Sequence, residues 1–450
     1  TVAAYLRGPL ADPAPLLGGA DTRVLYDLFA YLRTGSDPAV VATLTRETFG
    51  PATRIQHTFS YSDGFGREIQ HRAQAEPGPA GRPRYGVTGW TVFNNRGRPI
   101  RRYEPHFSAT HHFRFAPEVG VSAVLFYDPL ERVVATIRPD GSWEKVAFDP
   151  WRETRWDPGD TVLTDPRTDP DVARLVGAYL AGQPGWETWN ERRAGGALGP
   201  DEQAAATAAA GYAGTPALTW LDTLGRPAIS GAHARRDAVY LTRVRFDAEG
   251  NQREIRDANG RAVMRYGYDM LGNALYQASM ESGTRWILND VGGSPVLTWN
   301  SRGFRIRAEY DPLRRPVRQW VRAGSAAEML AERTVYGETL PDAAAANLRG
   351  RIWYQLDGAG MVRHERYDLR GNLLRSVRQV GREWRAAVDW SGVEAALAAA
   401  PLDPAAVVAA LDPVVEPGGF AGETTWDARN RPVAVTAPDG TVFALAYNEA

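Results

Sequence analysis

"YDMLGN", Tyr268 to Asn273, gathers a phenol, a carboxylate, a glycine and an amide within six residues, and near-copies recur down the chain. "FDAEGN" starts at Phe246, "YDLRGN" at Tyr367, "YDPLRR" at Tyr310 and "WDARNR" at Trp426. Either a catalytic motif has been duplicated many times or one structural device has been reused. Asp/Asn-x-x-Gly also occurs as Asp63…Gly66, Asn94…Gly97, Asp222…Gly225, Asp247…Gly250, Asp257…Gly260, Asp290…Gly293, Asn300…Gly303, Asp357…Gly360 and Asp368…Gly371. A type I turn favours Asp or Asn first, accepts Pro second and favours Gly fourth. The acid caps a nearby N–H, and Gly takes positive φ without a steric penalty. Asp128-Pro129, Asp149-Pro150 and Asp311-Pro312 place Pro where that scheme wants it. The repeated device therefore reads as a hairpin turn. Its structural residues are Asp247 and Gly250, Asp269 and Gly272, and Asp368 and Gly371.

The intervening segments read as strands. In "TRVRFD", Thr242, Val244 and Phe246 alternate with Arg243 and Arg245; in "RIRAEYD", Ile306, Ala308 and Tyr310 alternate with Arg305, Arg307 and Glu309. Period two with one polar face predicts antiparallel strands wet on one side. Aromatics just before the acids suit strand ends and cross-strand packing. Turn signals spaced in this way predict an all-β chain of repeated hairpins. Short Ala-rich helices interrupt it at about 171–213 and 390–413, the former including 171–182 and 200–213. A further helix is possible over "DTRVLYDLFAYLRTG", and "AEPGPAGRPRYG" (Ala75–Gly86) reads as a mobile loop.

Composition excludes several function classes. The 450 residues carry 52 basic and 53 acidic side chains, a net charge of −1, which argues against a nucleic-acid or anionic-membrane surface. Lys145 is the sole lysine; the other cations are arginines. With no Cys there is no disulfide, thiolate nucleophile or Cys-ligated zinc. No run approaches the roughly 18 apolar residues of a spanning helix. The first residues show no basic start followed by an apolar block, so no signal peptide is expected there. The chain begins without Met and stops inside a repeat-like segment, which reads as a piece of something longer.

His106, His111 and His112 cluster, but adjacent His111 and His112 would point to opposite faces of a strand, so no metal site is expected. Glu144 with Asp149, or Asp165 with Asp169, could act as acid–base pairs, yet no nucleophile elbow or phosphate loop accompanies them. No catalytic residue and no cofactor is assigned. Trp143, Trp151, Trp156, Trp186 and Trp189 could stack on sugars, which leaves a cell-surface or carbohydrate-binding module as the alternative.

The Tyr/Trp-Asp-x-x-Gly-Arg/Asn copies resemble YD, or Rhs, repeats. Longer strings resemble the B component of bacterial insecticidal toxin complexes. They include "YSDGFGREIQHRAQAEPGP" from Tyr61, "GWTVFNNRGRPIRRYEPHFSATHHF" from Gly89, "LFYDPLERVVATIRPDGSWEKVAFDPWRE" from Leu125 and "SMESGTRWILNDVGGSP" from Ser279. "EYDPLRRPV", "VYGE", "NLRG" and "WDARNRPVAVTAPDG" continue in order, with the weakest stretches at about 184–215 and 385–422. The resemblance implies a single architecture over 1–450, a curved Rhs/YD-repeat shell wall. It also implies a non-enzymatic role in enclosing the cytotoxic C-terminal region of a C component. Docking on a pore-forming A component would run through a propeller outside this chain, in a secreted, extracellular toxin assembly.

Overall fold

The period-two segments do fold as strands, nearly all antiparallel and joined by tight turns. In the computed structural model, which describes residues 2–9, 13–47, 54–78, 81–235 and 238–448, the chain divides into two units. The first comprises Thr1–Thr45, Gln56–Ala262 and Tyr447–Ala450; the second comprises Arg46–Ile55 and Val263–Ala446.

The first unit contains a six-stranded sheet in the order Thr22–Asp27, Ala39–Arg46, Ile55–Ser62, Glu68–Gln74, Tyr85–Val87, His106–Ser108. A second ladder runs through Thr91–Phe93, Pro99–Arg102, Val124–Tyr127, Val133–Ile137, Trp143–Phe148, Arg152–Trp156, Ala217–Leu221, Pro227–Arg235, Ala238–Phe246 and Gln252–Arg256. Arg152–Trp156 pairs with Ala217–Leu221 across an excursion that holds the helices Ala173–Ala181, Trp189–Ala194 and Pro200–Ala209. Val176 and Leu180, one helical turn apart, bury against Ala135, Ile137 and Trp143 of the ladder. Thr188 and Glu191 form a reciprocal capping box, and Pro200 with Asp201 and Glu202 opens the third helix as a helix start should.

The second unit is a meander from Ala262–Tyr268 to Val442–Ala444 in which each strand pairs with the next. Its excursion leaves Leu373–Val380 and returns at Phe420–Trp426, carrying the helices Glu394–Leu397 and Pro404–Leu411. Trp390, Val393, Leu397, Val407 and Leu411 pack over Leu330, Val335, Tyr354, Leu356 and Met361 to form a true core. The indole of Trp390 donates to the Asp357 carbonyl at 3.1 Å, and Glu394 joins Arg318 to Arg333.

Away from that helical cover the sheet has no buried layer. From Ala262 to Ala323, across six strands, no strand residue is buried on either face. This corrects the expectation of one wet and one dry face for Phe304–Tyr310, where Ile306 and Arg307 are alike half-buried. Cross-strand pairs take the place of a core. Trp286 lies 5.8 Å from Tyr276 and 6.2 Å from Trp299, and Arg307 bonds to Glu328 at 2.7 Å while stacking 5.1 Å over Trp320.

The helix expected over "DTRVLYDLFAYLRTG" is also corrected. Thr22–Asp27 pairs antiparallel with Val40–Thr45, and only Ala30–Thr34 is helical, ending at Gly35 with φ 73°. Sheet pairing there overrides a weak local helix preference. Within the expected loop 75–86, Pro79 and Ala80 lie outside the described residues; the Ala75 N–H donates to Arg84 at 2.8 Å.

Candidate functional site

The repeated turns share one geometry, seen clearly at Asp269. Its N–H donates to the Asn273 carbonyl at 3.0 Å, and the Gly272 N–H returns to the Asp269 carbonyl at 3.2 Å. One carboxylate oxygen accepts from the Leu271 and Asn273 amides at 2.9 and 2.8 Å, while the other accepts from the Asn273 side-chain amide at 2.9 Å. This is a type I turn closed by a glycine bulge; the register slips between Gly267 and Tyr268. Gly250, Gly272 and Gly371 have φ of 94°, 83° and 93°, so the expected glycines do sit in the left-handed region. Asp247 and Asp368 repeat the arrangement with Asn251 and Asn372. Copies without glycine keep the conformation: Glu131, Arg314 and Asn430 adopt φ of 64°, 64° and 58°. "FDPWRE" departs from the rest, since Asp149 N–H meets the Arg152 carbonyl at 2.9 Å in a shorter turn.

The residue after the left-handed position does more than end the motif. Where it is arginine, its guanidinium folds back on its own aspartate, as in Arg67–Asp63, Arg132–Asp128, Arg226–Asp222, Arg315–Asp311 and Arg431–Asp427, at 2.6 to 2.7 Å. Such forks also reach the aromatic that opens the next copy. Arg67 lies 4.5 Å over Phe93, Arg132 4.0 Å over Phe148, Arg226 4.7 Å over Phe246 and Arg315 3.8 Å over Tyr336. The aromatics in turn reach back to the first residue of the preceding strand. Tyr127 donates to Pro99 at 2.7 Å, Tyr310 to Pro295 at 2.8 Å, Tyr367 to Ile352 at 2.9 Å and Trp426 to Leu373 at 3.0 Å. These links between copies were missed in the sequence. The interval from arginine to the following aromatic varies from 16 to 26 residues, so spacing carried no signal for them.

The electrostatics follow from these bonds. The Asn273 amide and backbone N–H hold the Asp269 carboxyl below its ordinary value. Burial opposes ionisation of Asp311 and Asp427, yet the backbone and guanidinium of Arg315 and Arg431 outweigh it and hold both carboxyls low. These carboxylates are occupied acceptors holding turns together.

The other candidates find structural partners. Glu144 bonds Arg138 at 3.0 Å, Asp165 bonds Arg167 at 2.8 Å, and Asp149 caps the Trp151 amide at 2.8 Å. Asp169 and Asp171 each meet Lys145 at 2.7 Å, with the ammonium 4.5 Å from the Trp156 ring. Burial opposes that charge, but the two carboxylates outweigh it and raise the lysine above its ordinary value. The geometry assumed for the histidines is corrected. His111 and His112 lie beyond the strand His106–Ser108, with ring centroids only 4.0 Å apart rather than on opposite faces. His111 is buried against Phe59 and meets the Leu6 carbonyl at 2.7 Å. Trp143 is buried, and Trp186 and Trp189 lie beneath Arg167 and Arg193, which leaves Trp151 as the exposed ring of the five.

No protein-family model and no curated protein matches the chain by sequence. Its fold does match solved structures. All of the chain superposes on the crystal structure of TcdB2-TccC3, with a TM-score of 0.72 and 21% identity over 21% of that chain. The form without the hypervariable C-terminal region matches 94% of the chain at 0.68 and 21% identity, over 19% of its own length. The Photorhabdus luminescens Tc holotoxin pore matches all of it at 0.67 and 20% identity, again over 20% of its own length. The chain thus spans about a fifth of the chains it matches. An all-β run of antiparallel hairpins with short helical insertions, it has the fold of a segment of TcdB2-TccC3, in agreement with the toxin-complex resemblance of its ordered motifs.

Proposed function

We propose that the chain is a wall segment of a hollow Rhs/YD-repeat shell that encloses a cytotoxic cargo. The observation that carries this reading is the sheet from Ala262 to Ala323, whose strands bury no residue on either face. A sheet folded on its own core hides one face. A sheet that separates an enclosed aqueous volume from the outside must tolerate water on both. The likeness to TcdB2-TccC3 supports the same reading. The cargo would be the cytotoxic C-terminal region of a C component, and a pore-forming A component would engage a propeller outside this chain, in an extracellular assembly. The role is steric and needs no catalytic group: the wall keeps the cargo from its producer until release.

The test is to co-express the full-length protein with a C-type partner and challenge the purified complex with protease. Encapsulation requires the cargo region to survive under conditions that digest it when expressed alone. Cargo cleaved at equal rates in both states would refute the reading.

A further inference from the structure

Antiparallel meanders place alternate turns at opposite rims of a sheet. In the second unit the turns at Asp269, Asp290, Asp311, Asp368 and Asp427, all but Asp290 preceded by an aromatic, therefore share one rim. Side chains stitch neighbouring turns together along it: Arg314 binds Asp290, and Asn372 meets Asn430 at 2.9 Å. On the other rim the tips Ser301-Arg302, Ser325-Ala326 and Pro438-Asp439 are small or polar, with Met280 an exception at 48% exposure. The aromatic–Asp rim instead carries Met270, Leu271, Val291 and Leu313 at its tips, with between 71% and 101% of full exposure. Turn chemistry does not ask for these residues, since the geometry rests on the Asp, the left-handed position and the backbone. Water at these tips would favour polar side chains on both rims alike.

Further along the same rim, the corresponding tips are covered. Arg370 donates to the carbonyl of Arg46, and Glu47 lies within electrostatic reach of Arg370 and Asp427 while its N–H closes on the Arg54 carbonyl at 2.9 Å. Asp427 and Ala428 are correspondingly buried, at 2% and 5% exposure. One part of the rim is thus already an interface with an incoming stretch of polypeptide, and the bare apolar tips continue it.

We infer that the tips Met270, Leu271, Val291 and Leu313 form a docking edge for an extended, apolar segment of a longer polypeptide, set against the rim as Arg46 and Glu47 are. The rim acids Asp269, Asp290 and Asp311 are already bonded to Asn273, Arg314 and Arg315, so the edge offers apolar surface and little free charge. The chains of this fold are about five times longer, 21% of their length being matched, so they contain polypeptide to supply the segment. The occupant thus rests on the shell reading above.

Methionine oxidation tests this directly in the full-length assembly, because sulfoxide formation follows exposure. Met270 is fully exposed here and Met280, at the opposite rim, is 48% exposed. Under dilute peroxide, peptide mass mapping of the assembled protein should show Met270 oxidising roughly ten-fold more slowly than Met280. A variant carrying Leu271→Asp, Val291→Asp and Leu313→Asp should restore fast oxidation at Met270. Met270 reacting as fast as Met280 in the unmutated assembly would overturn the inference. Protection lost on dilution of an intact assembly would identify a second copy as the occupant and overturn it too. Protease-resistant cargo with a reactive Met270 would sink the docking edge alone; digested cargo with a protected Met270 would sink encapsulation alone.

Discussion

The same turn appears in two environments, and removing its aspartate from each separates geometry from burial. Asp427 is 2% exposed and accepts from the Arg429 and Arg431 amides at 2.8 and 3.0 Å and from the Arg431 guanidinium at 2.7 to 2.8 Å. Asp311 makes the equivalent bonds to Leu313 and Arg315, but at the bare part of the rim, with Asp311 and Arg315 side chains 15% and 24% exposed. Asp427→Ala takes a buried carboxylate from two amides and from a guanidinium as exposed as that of Arg315, and should cost about 2–3 kcal/mol, the penalty for donors left unsatisfied where the acceptor was buried. Asp311→Ala lets water replace the carboxylate and should cost about 1–2 kcal/mol, the range for losing a helix or turn cap. Native-state hydrogen exchange on the flanking strands, Phe420–Trp426 and Pro432–Thr436 against Phe304–Tyr310 and Pro316–Ala323, reads each cost locally. Each factor of ten in the opening constant is about 1.4 kcal/mol. Equal costs, within about 0.5 kcal/mol, would show that the covered position adds nothing and refute the argument from burial.

Gly272 has φ 83°, so Gly272→Val should destabilise the second unit by about 1–2 kcal/mol, whereas Gly272→Asn should cost less, as Asn430 at φ 58° does the same task; equal melting curves would count against this. Asp269→Asn should be milder than Asp427→Asn, because the Asn273 amide can flip to accept from the new side chain while the Arg431 guanidinium can only donate; hydrogen exchange at residues 271 and 429 would compare them. Acid should weaken the six-stranded sheet of the first unit. Burial, reinforced by His111, lowers the His57 pKa from 6.5 to about 4, so its contribution is complete above pH 6.5 and is lost as pH falls towards 4. The shift corresponds to about 3 kcal/mol, and His57→Phe should flatten the exchange-versus-pH profile between those limits; an unchanged profile would mean that His57 is not the titrating group.

The turns, the strands and both helical excursions were legible because each is specified locally: by Asp with a left-handed residue three places on, by period two, by Pro200 and its following acids. The link from Arg226 to Phe246 was not legible, since the interval between such partners varies and a guanidinium's several donors cannot be assigned without the fold. The strand at Thr22–Asp27 was misread because its partner Ala39–Arg46 lies beyond any local window. The buried polar core of the first unit gave no signal at all. Arg72 is fully buried, bonded to Gln70, Ser108 and the Thr110 carbonyl, and His57 meets Tyr5 at 2.6 Å. Arginine and histidine on a strand normally mark its wet face, and only the assembled sheet reverses that.

A sheet wet on both faces cannot draw its stability from a dry layer, so the bonds between copies must supply what a core supplies elsewhere. Each aspartate closes its own turn, its arginine or asparagine locks that closure, the arginine spreads over the next aromatic, and the aromatic hydroxyl or indole returns to the preceding strand. Every one of these contacts joins a copy to itself or to a neighbour, the condition under which stability becomes a sum of local and nearest-neighbour terms. Such a sheet can be lengthened by adding copies without redesigning a core, and it fails locally when one copy is damaged. The helical excursion over Leu330, Tyr354 and Leu356 marks where the chain adds an ordinary core to this scheme, and the strands beneath it are the only ones in the second unit with several fully buried side chains among the described residues. Elsewhere the faces are left free, and a surface freed from packing its own core is what a wall around another protein requires.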